Sequence, residues 1–254
     1  MATSMVSTGT TSIKELVERL RPTLMMEPHK EDVNACPECG GDGYVYRRDS
    51  AGRLLASHCP VCRGLEKARV KTALKLSGIP NAGDGCGIEL ARGVADYARE
   101  FKRLGFSDWL VLTGKPGTGK TTQAAELAKR IITKGGNVRF YNAFNLTRRL
   151  IANRKRAEDY YAAFDEFREA DLVVLDDFLK SAPARNSFDF NDFYTVTCEL
   201  LWTRYDDRKP LVITTQKTFN DVALFDSALA SRIAEMGKGR FITLGRNATN
   251  YRLR

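Results

Sequence analysis

The chain has 254 residues, of which 43% are hydrophobic and 28% charged, a composition that indicates a packed globular core and excludes a disordered chain or a disulfide scaffold. No apolar run approaches the roughly 20 residues that a membrane span needs. Residues 1–12 lack the basic start and apolar block of a secretory signal, so we expect a cytoplasmic protein that has no membrane partner. The 40 basic and 31 acidic residues leave a net charge of +9, which favours nucleic acid as a partner.

The sequence predicts three segments, residues 1–34, 35–78 and 79–254. The first has a Thr-, Ser- and Gly-rich start, followed by a short amphipathic helix that Ser12 caps. The second holds paired cysteines among glycines, a composition that cannot build its own core, and it continues into a helix over residues 65–76. A linker with Gly, Pro and Ser then leads into the third segment.

The third segment alternates short apolar runs with amphipathic helices, which is typical of a parallel sheet covered on both faces. We therefore predict an α/β fold with a five-stranded parallel sheet. The strands are predicted at residues 109–113, 138–144, 172–175, 211–215 and 241–244.

A phosphate-binding loop follows the first of these strands. The stretch from Gly114 to Thr121 fits the Walker A pattern and precedes a predicted helix over residues 122–133, whereas a chance glycine-rich turn would not have this context. Backbone N–H groups would surround the phosphates of ATP, Lys120 would reach the β- and γ-phosphates, and the Thr121 hydroxyl would ligate Mg²⁺. The predicted ATP-binding residues are Gly114, Lys115, Pro116, Gly117, Thr118, Gly119, Lys120, Thr121 and Thr122.

Two carboxylates stand at the carboxyl end of a buried strand, where ligands bind in open parallel sheets. Asp176 is predicted to hold Mg²⁺, and Asp177 to orient or deprotonate the attacking water. The alternative is that the pair only marks the solvent end of the strand. After the next strand, Gln216 could contact the γ-phosphate or the water, and Arg232 is predicted to be exposed on a helix over residues 228–236.

Four cysteines predict a zinc site. Cys36, Cys39, Cys59 and Cys62 form two Cys-x₂-Cys pairs at a spacing expected for four thiolates around one Zn²⁺. His58 could replace one cysteine, but adjacent residues rarely ligate the same ion. The alternatives are a redox dithiol and a disulfide. A reducing compartment disfavours the disulfide. The remaining cysteines, Cys86 and Cys198, are expected to be ordinary buried residues.

A basic stretch with flanking aromatic residues is a candidate nucleic-acid site, because basic groups can follow phosphates while aromatic rings stack on bases. The alternative is a solvated helix face. Tyr160 and Tyr161 follow this stretch. The predicted contact residues are Phe144, Arg148, Arg149, Arg154, Lys155 and Arg156.

Taken in order, these motifs resemble AAA+ ATPases of the replicative helicase loader group, of DnaC and DnaI type, and the related IstB-type ATPases of transposition. The resemblance covers residues 79–254 and rests on five stretches, 114–121, Leu175–Phe178, Ile213–Gln216, Ser231–Met236 and 245–252. It implies an AAA+ fold without a C-terminal lid. By resemblance, Asp176 is the Walker B aspartate, Asp177 takes the catalytic acidic position, Gln216 is the first sensor, and Arg232 is the arginine finger that reaches a neighbouring subunit. Arg252 is a candidate second sensor.

The resemblance implies an ATPase that loads a DnaB-type ring helicase onto single-stranded DNA, with ATP, Mg²⁺ and Zn²⁺ as cofactors and a homo-oligomer formed through Arg232. The zinc module would contact the helicase, or else nucleic acid through Arg47, Arg48, Arg53 and Arg63. Because Asp177 has a short reach, hydrolysis is expected to be slow and switch-like, and a turnover well above roughly ten per second would contradict this. The alternatives are an IstB-type ATPase that regulates transposition on duplex DNA, and a small-molecule P-loop kinase, whose arginine-rich lid the sequence lacks.

Overall fold

A computed structural model describes residues 36–50, 52–80, 88–101 and 105–245 of the chain. Three predicted features lie outside these residues: the helix near Ser12, Cys86, and the terminal stretch around Arg252. Two compact units divide the chain between Glu66 and Lys67. In the described ranges, each helix is too short or too polar to cross a membrane.

The first unit contains a two-stranded antiparallel hairpin. Its strands are β1 (Tyr44–Arg48) and β2 (Leu54–His58), with Tyr44 opposite His58. Asp49 closes the turn, because its backbone N–H and its carboxylate both bond to Arg53. Nearly all residues of the two strands are exposed. The hairpin therefore buries too little apolar surface to be stable without a cross-link.

Helix α1 (Pro60–Leu76) crosses from the first unit into the second. It begins earlier than predicted, at Pro60, because proline suits the first turn of a helix, where its missing N–H is not needed. Val70, Ala73 and Leu74 pack against the core of the second unit. The division between the units thus lies inside α1, ahead of the boundary that we expected after residue 78.

The second unit is a five-stranded parallel sheet with helices on both faces. Its strands are β3 (Trp109–Thr113), β4 (Val138–Asn142), β5 (Leu172–Phe178), β6 (Leu211–Thr215) and β7 (Phe241–Thr243). Its helices after α1 are α2 (Arg92–Glu100), α3 (Lys120–Thr133), α4 (Ala143–Asn153), α5 (Ala157–Glu169), α6 (Phe190–Asp206), α7 (Phe219–Phe225) and α8 (Ser227–Gly237). The strands lie in the order β4, β5, β6, β3, β7 and are all parallel, which confirms the predicted sheet.

Alternate residues of the central strands enter two separate cores. In β3, Leu110 and Leu112 pack with α2 and α3 on one face, whereas Trp109 and Val111 pack with α4, α5, α6 and α8 on the other. Both faces of the sheet are buried, so the strand sequences are continuous apolar runs and not alternations of apolar and polar residues. The ends of the strands lie beyond these cores and can therefore carry polar residues.

Three predicted strand ends were wrong, and the smallest difference is in β7, which ends at Thr243 and not at Leu244. Strand β4 ends at Asn142 and not at Phe144, because the Asn142 side chain accepts a hydrogen bond from the backbone N–H of Asn145 (3.1 Å) and so caps α4. Strand β5 continues past Leu175 to Phe178, which places both acidic residues inside the strand.

Arg204 of α6 is fully buried, and its hydrogen bonds go to backbone carbonyl groups. Its guanidinium donates to the carbonyl oxygen of Ala170 (2.7 Å), just after α5, and to that of Pro210, just before β6. Burial lowers the pKa of Arg204 to about 10, so it stays charged at neutral pH. This one side chain joins the end of α5 to the start of β6.

Candidate functional site

The predicted phosphate-binding loop joins β3 to α3. Gly114, Gly117 and Gly119 have φ angles of 144°, 79° and 85°, in the region that residues with a Cβ avoid. At Gly114 a Cβ would also lie 2.5 Å from the carbonyl oxygen of Leu244. The loop can therefore keep its shape only with glycine at these positions, and it leads directly into the N-terminus of α3, where backbone N–H groups favour an anion.

Lys120 is buried at the start of α3, which begins two residues before the predicted helix. Its ammonium group donates to the carbonyl oxygens of Gly114 (2.8 Å) and Lys115 (2.9 Å), so it lies within the loop. The Thr118 hydroxyl also donates to the Lys115 carbonyl (2.9 Å), which holds the loop closed. Thr122 is exposed in the first turn of α3. The loop residues thus surround a cationic group, as a triphosphate site requires.

The two residues predicted to hold Mg²⁺ are in contact. The Thr121 hydroxyl donates to the carboxylate of Asp176, at 2.8 Å from Oδ1 and 3.1 Å from Oδ2. Asp176 is only 7% exposed. Hydroxyl and carboxylate oxygens are ligands that Mg²⁺ accepts, so this pair fits the ion.

A third side chain, from Thr214 in β6, joins this cluster. Its hydroxyl donates to Oδ1 of Asp176 (2.6 Å) and accepts a hydrogen bond from the backbone N–H of Asp177 (3.0 Å). The arrangement follows from a β-bulge, since Leu175 pairs with Ile213 and Phe178 with Thr215, which leaves both aspartates opposite Thr214 alone. Thr214 therefore supplies the hydrogen bonds that a regular ladder would provide.

Asp177 lies at the bulge with a φ angle of 55°, in the left-handed region that Asp tolerates better than most residues. Its carboxylate forms an ion pair with Lys180 (2.8 Å). Asp177 is thus adjacent in sequence to Asp176 but held by a different set of contacts. Asp176 is buried against α3, whereas Asp177 is partly exposed.

Gln216 lies beside the phosphate-binding loop. Because β6 separates β3 from β5 in the sheet, the end of β6 falls between the loop and the aspartates. Gln216 is half-buried and lines a cavity of about 730 Å³ together with Gly114, Lys115 and Pro116. The sheet order thus brings Gln216 to the cavity that the phosphate-binding loop lines.

Arg232 is half-buried on α8 instead of being exposed to solvent. Its guanidinium carbon lies 5.4 Å from the ring centre of Tyr205 and 5.6 Å from that of Trp202, distances at which cation–π attraction operates. Asp226 caps α8 by accepting a hydrogen bond from the backbone N–H of Leu229 (2.6 Å). The helix that carries Arg232 is therefore fixed at its start.

The four predicted zinc ligands come together in the first unit. All four sulfur atoms lie within 4.8 Å of one another, with Cys36 and Cys59 at 3.7 Å and Cys39 and Cys62 at 3.5 Å. Four thiolates placed tetrahedrally at about 2.3 Å from Zn²⁺ would be about 3.8 Å apart, so these distances fit the ion. They are far longer than the roughly 2.05 Å of a disulfide.

The surroundings of the thiols also favour a metal. The backbone amides of Glu38 and Cys39 lower the pKa of Cys36 to about 7. Hydrogen bonds with the thiols of Cys39 and Cys36 raise the pKa of Cys62 to about 12. Cys62 therefore holds a proton that a divalent cation would displace, whereas the thiol of Cys36 is already partly ionised at neutral pH. The ring of His58 lies against Tyr44, with centroids 4.7 Å apart, and His58 is not part of the cluster.

The predicted nucleic-acid residues are partly engaged within the chain. Arg154 pairs with Asp192 (2.7 Å) and Arg156 with Asp159 (3.8 Å), while the guanidinium of Arg148 lies 5.8 Å from the ring of Phe144. Arg149 and Lys155 are exposed. Of the tyrosines that follow, Tyr160 donates to Glu199 (2.8 Å), whereas Tyr161 is 62% exposed.

The family model for IstB-like ATP binding proteins matches residues 95–236, more than half of the chain. The chain belongs to this family. The matched range of this IstB-like protein includes the phosphate-binding loop, both aspartates, Gln216 and Arg232. The chain is also 24% identical over 165 residues to the uncharacterized protein YqaM of Bacillus subtilis (strain 168). That match covers 62% of this chain and 51% of YqaM, so the chain spans about half the length of this relative.

Solved structures share the fold of this IstB-like protein. The crystal structure of the DnaC helicase loader matches with a TM-score of 0.50 and 21% identity, over 59% of this chain and 85% of that one. DnaI matches with a TM-score of 0.50 and 18% identity, over 71% and 93%. AMPPCP-bound DnaA from Aquifex aeolicus matches with a TM-score of 0.51 and 15% identity, over 65% and 50%. The fold is that of AAA+ ATP-binding proteins.

Proposed function

We propose that this IstB-like protein is an ATP-dependent loader of a DnaB-type replicative ring helicase onto single-stranded DNA. The observation that supports this most is a four-thiol centre that precedes, in the same chain, an ATP-binding domain with the fold of the DnaC helicase loader. A four-thiolate zinc site has no open coordination position, so its role would be to fold a docking module and not to run chemistry.

In this proposal the loop and its neighbours bind and hydrolyse ATP. Lys120 would hold the β- and γ-phosphates, Thr121 and Asp176 would hold Mg²⁺, and Gln216 would contact the γ-phosphate or the attacking water. Asp177 orients that water and accepts its proton. The water oxygen forms a bond to the γ-phosphorus of ATP, the bond from that phosphorus to the bridging oxygen breaks, and ADP leaves. Bound Mg²⁺ would neutralise charge on the phosphates. Hydrolysis is slow, because Asp177 is short and its carboxylate is engaged with Lys180.

Arg232 would act between subunits of a homo-oligomer. Its charge would stabilise the phosphates in the site of a neighbouring copy, as an arginine finger does. The contacts with Trp202 and Tyr205 hold the side chain along α6, so it must leave them to reach a neighbour. Assembly and hydrolysis would therefore be coupled through this one side chain.

The family match favours one other function, that of an IstB-type ATPase that regulates transposition on duplex DNA. Such a protein would share the ATP site but bind a transposase. The two functions differ in the protein partner and in the form of DNA that is bound, and both differences can be measured.

Native mass spectrometry of the full chain, mixed with the replicative helicase of its host and ATP, tests the proposal. We expect several copies of the chain on each helicase ring, and we expect this complex to disappear in the variant Cys39→Ser. The matched variant Cys198→Ser, which alters a cysteine outside the four-thiol centre, should retain the complex. A chain that holds both zinc and ATP but forms no complex would overturn the loader proposal and favour the transposition ATPase.

A further inference from the structure

Helix α1 presents a row of three lysines. Lys67, Lys71 and Lys75 are all exposed and follow one another at intervals of four residues. Each interval advances a helix by about 6 Å and turns it by only about 40°, so the three ammonium groups form a row about 12 Å long. Val70, Ala73 and Leu74 hold the helix on the core of the ATPase unit, which leaves the row directed to solvent.

Within the part of the chain that the structure describes, this row keeps its positive charge. Among the residues that the structure describes, none forms a salt bridge with these three lysines. Glu66 is the one acidic residue of α1, and its neighbours at helical spacing include Arg63 and Arg69 but none of the lysines. Like charges four residues apart destabilise a helix. The row therefore lowers the stability of α1 with no compensating contact in this part of the chain.

The basic stretch at residues 148–156, which the sequence favoured as a nucleic-acid site, differs from the lysine row on α1. Two of its arginines, Arg154 and Arg156, are paired with carboxylates, and Asp189 and Asp192 line the groove next to Arg148. An incoming phosphate would meet acidic groups there. The row on α1 has no carboxylate at helical spacing and is the better match for a polyanion.

We infer that Lys67, Lys71 and Lys75 bind the phosphate backbone of single-stranded DNA. A single row of charges suits one strand, whereas a duplex presents two phosphate backbones across a groove about 12 Å wide. The lysines recur at intervals of about 6 Å, so each of the three ammonium groups can contact one phosphate of the strand. Ammonium groups contact phosphates without reading bases, so binding is independent of sequence. Single-stranded DNA as the ligand rests on the proposed function, but the surface can be tested without a helicase.

Fluorescence anisotropy of a labelled oligothymidine, titrated with the full chain at several salt concentrations, tests the inference. In K67Q/K71Q/K75Q we expect affinity to fall roughly 100-fold at 0.1 M salt and the salt slope to fall by about 2, at about 0.7 per lost contact. The matched variant K67R/K71R/K75R keeps the charges and should bind like the wild type. R148Q/R149Q/K155Q, with the same loss of charge in the other basic stretch, should bind with a much smaller loss.

Two further controls separate a failure of this inference from misfolding of the variant and from a failure of the proposed function. The glutamine variant should unfold at or above the wild-type temperature, because it removes like-charge pairs and Gln is as good a helix former as Lys. Wild-type affinity in this variant, an equal loss in R148Q/R149Q/K155Q, or tighter binding of a duplex oligonucleotide than of oligothymidine would overturn the inference. A helicase complex in a chain that binds no DNA would overturn this inference alone, whereas DNA binding through the row without a helicase complex would overturn the loader proposal alone.

Discussion

The hydroxyl of Thr214 donates to the carboxylate of Asp176 at 2.6 Å and, through the same oxygen, accepts the backbone N–H of Asp177 at 3.0 Å. One side chain on β6 thus sets the positions of both acidic residues on β5. Thr214 is fully buried. It is therefore a positioning residue for the proposed hydrolysis, since it acts through the aspartates.

Replacement of Thr214 with Val should separate binding from turnover. Valine keeps the shape but removes both hydrogen bonds, which leaves the Asp177 N–H without its partner and should lower the free energy of unfolding by about 1–3 kcal/mol. We expect ATP turnover to fall at least about tenfold, with a smaller change in nucleotide affinity. Urea unfolding, steady-state hydrolysis and nucleotide titration measure these effects. Thr214→Ser, which keeps the hydroxyl, should restore turnover; equal turnover in Thr214→Val and wild type would contradict the assignment.

Removal of Lys180 should speed up hydrolysis. The ion pair with Asp177 is partly exposed, and such pairs contribute little, so Lys180→Met should raise turnover by only about two- to fivefold as the carboxylate is released. Lys180→Arg keeps the pair and is the control. Single-turnover hydrolysis measures the chemical step, and a slower Lys180→Met variant would instead assign Lys180 to the stabilisation of Asp177.

Arg232 should be required for hydrolysis in the assembled state but not for ATP binding. We expect Arg232→Ala to retain nucleotide affinity and to lose the rise in turnover that accompanies a higher protein concentration. Arg232→Lys, which keeps the charge but not the planar group, should be only partly active. The chain has two tryptophans, of which Trp109 is buried and Trp202 is 39% exposed. A change in tryptophan emission on assembly would therefore report the release of Arg232 from Trp202. Full concentration-dependent activity in Arg232→Ala would contradict the finger role.

Zinc removal should unfold the first unit and leave the ATPase unit folded. The two units are compact separately, and the exposed hairpin depends on its cross-link. We expect one zinc per chain in the wild type, and in Cys39→Ser a loss of zinc with unchanged ATP affinity. Metal analysis and thermal unfolding monitored with and without a chelator test this. Loss of ATP binding on chelation would show that the two units fold together.

Acid should weaken the contact that Asp108 makes at the start of β3. Partial burial raises the pKa of Asp108, but ion pairs with Lys238 (2.6 Å) and Arg240 (3.0 Å) outweigh it and lower the pKa overall. Because the folded-state pKa is the lower one, this stabilisation is complete above the ordinary Asp value of about 3.9 and is lost as pH falls through the folded-state pKa. Asp108→Asn should therefore be less stable than wild type at neutral pH, and the difference in free energy of unfolding should shrink in acid. A difference that stays constant with pH would exclude the ion pairs as its cause.

The sequence was sufficient for the elements whose signals are local. The apolar runs placed β3 and β6 at their observed bounds, because strands buried on both faces need unbroken apolar residues. The spacing of the four cysteines placed the thiol cluster, since two tight turns bring each pair together on their own. The glycines of the phosphate-binding loop could be found for the same reason.

Features that depend on register could not be predicted. Thr214 stands in the middle of an apolar strand, and only the bulge between Leu175 and Phe178 places it opposite both aspartates. Lys180 contacts Asp177 because the chain turns sharply at Leu179, which has a φ angle of 58°. The stacking of Arg232 on α6 likewise joins residues that are distant in sequence, so no local pattern reports it.

The buried Arg204 has a mechanical consequence for the aspartates. Its charge is balanced by the oxygen atoms at the carboxyl end of α5, so the negative end of that helix serves as its counter-ion. The same guanidinium donates a hydrogen bond to the carbonyl oxygen of Pro210, one residue before the strand that carries Thr214. A displacement of α5 would either break these hydrogen bonds or shift β6 and its Thr214. The positions of Asp176 and Asp177 therefore depend on a helix that lies on the opposite face of the sheet from α3.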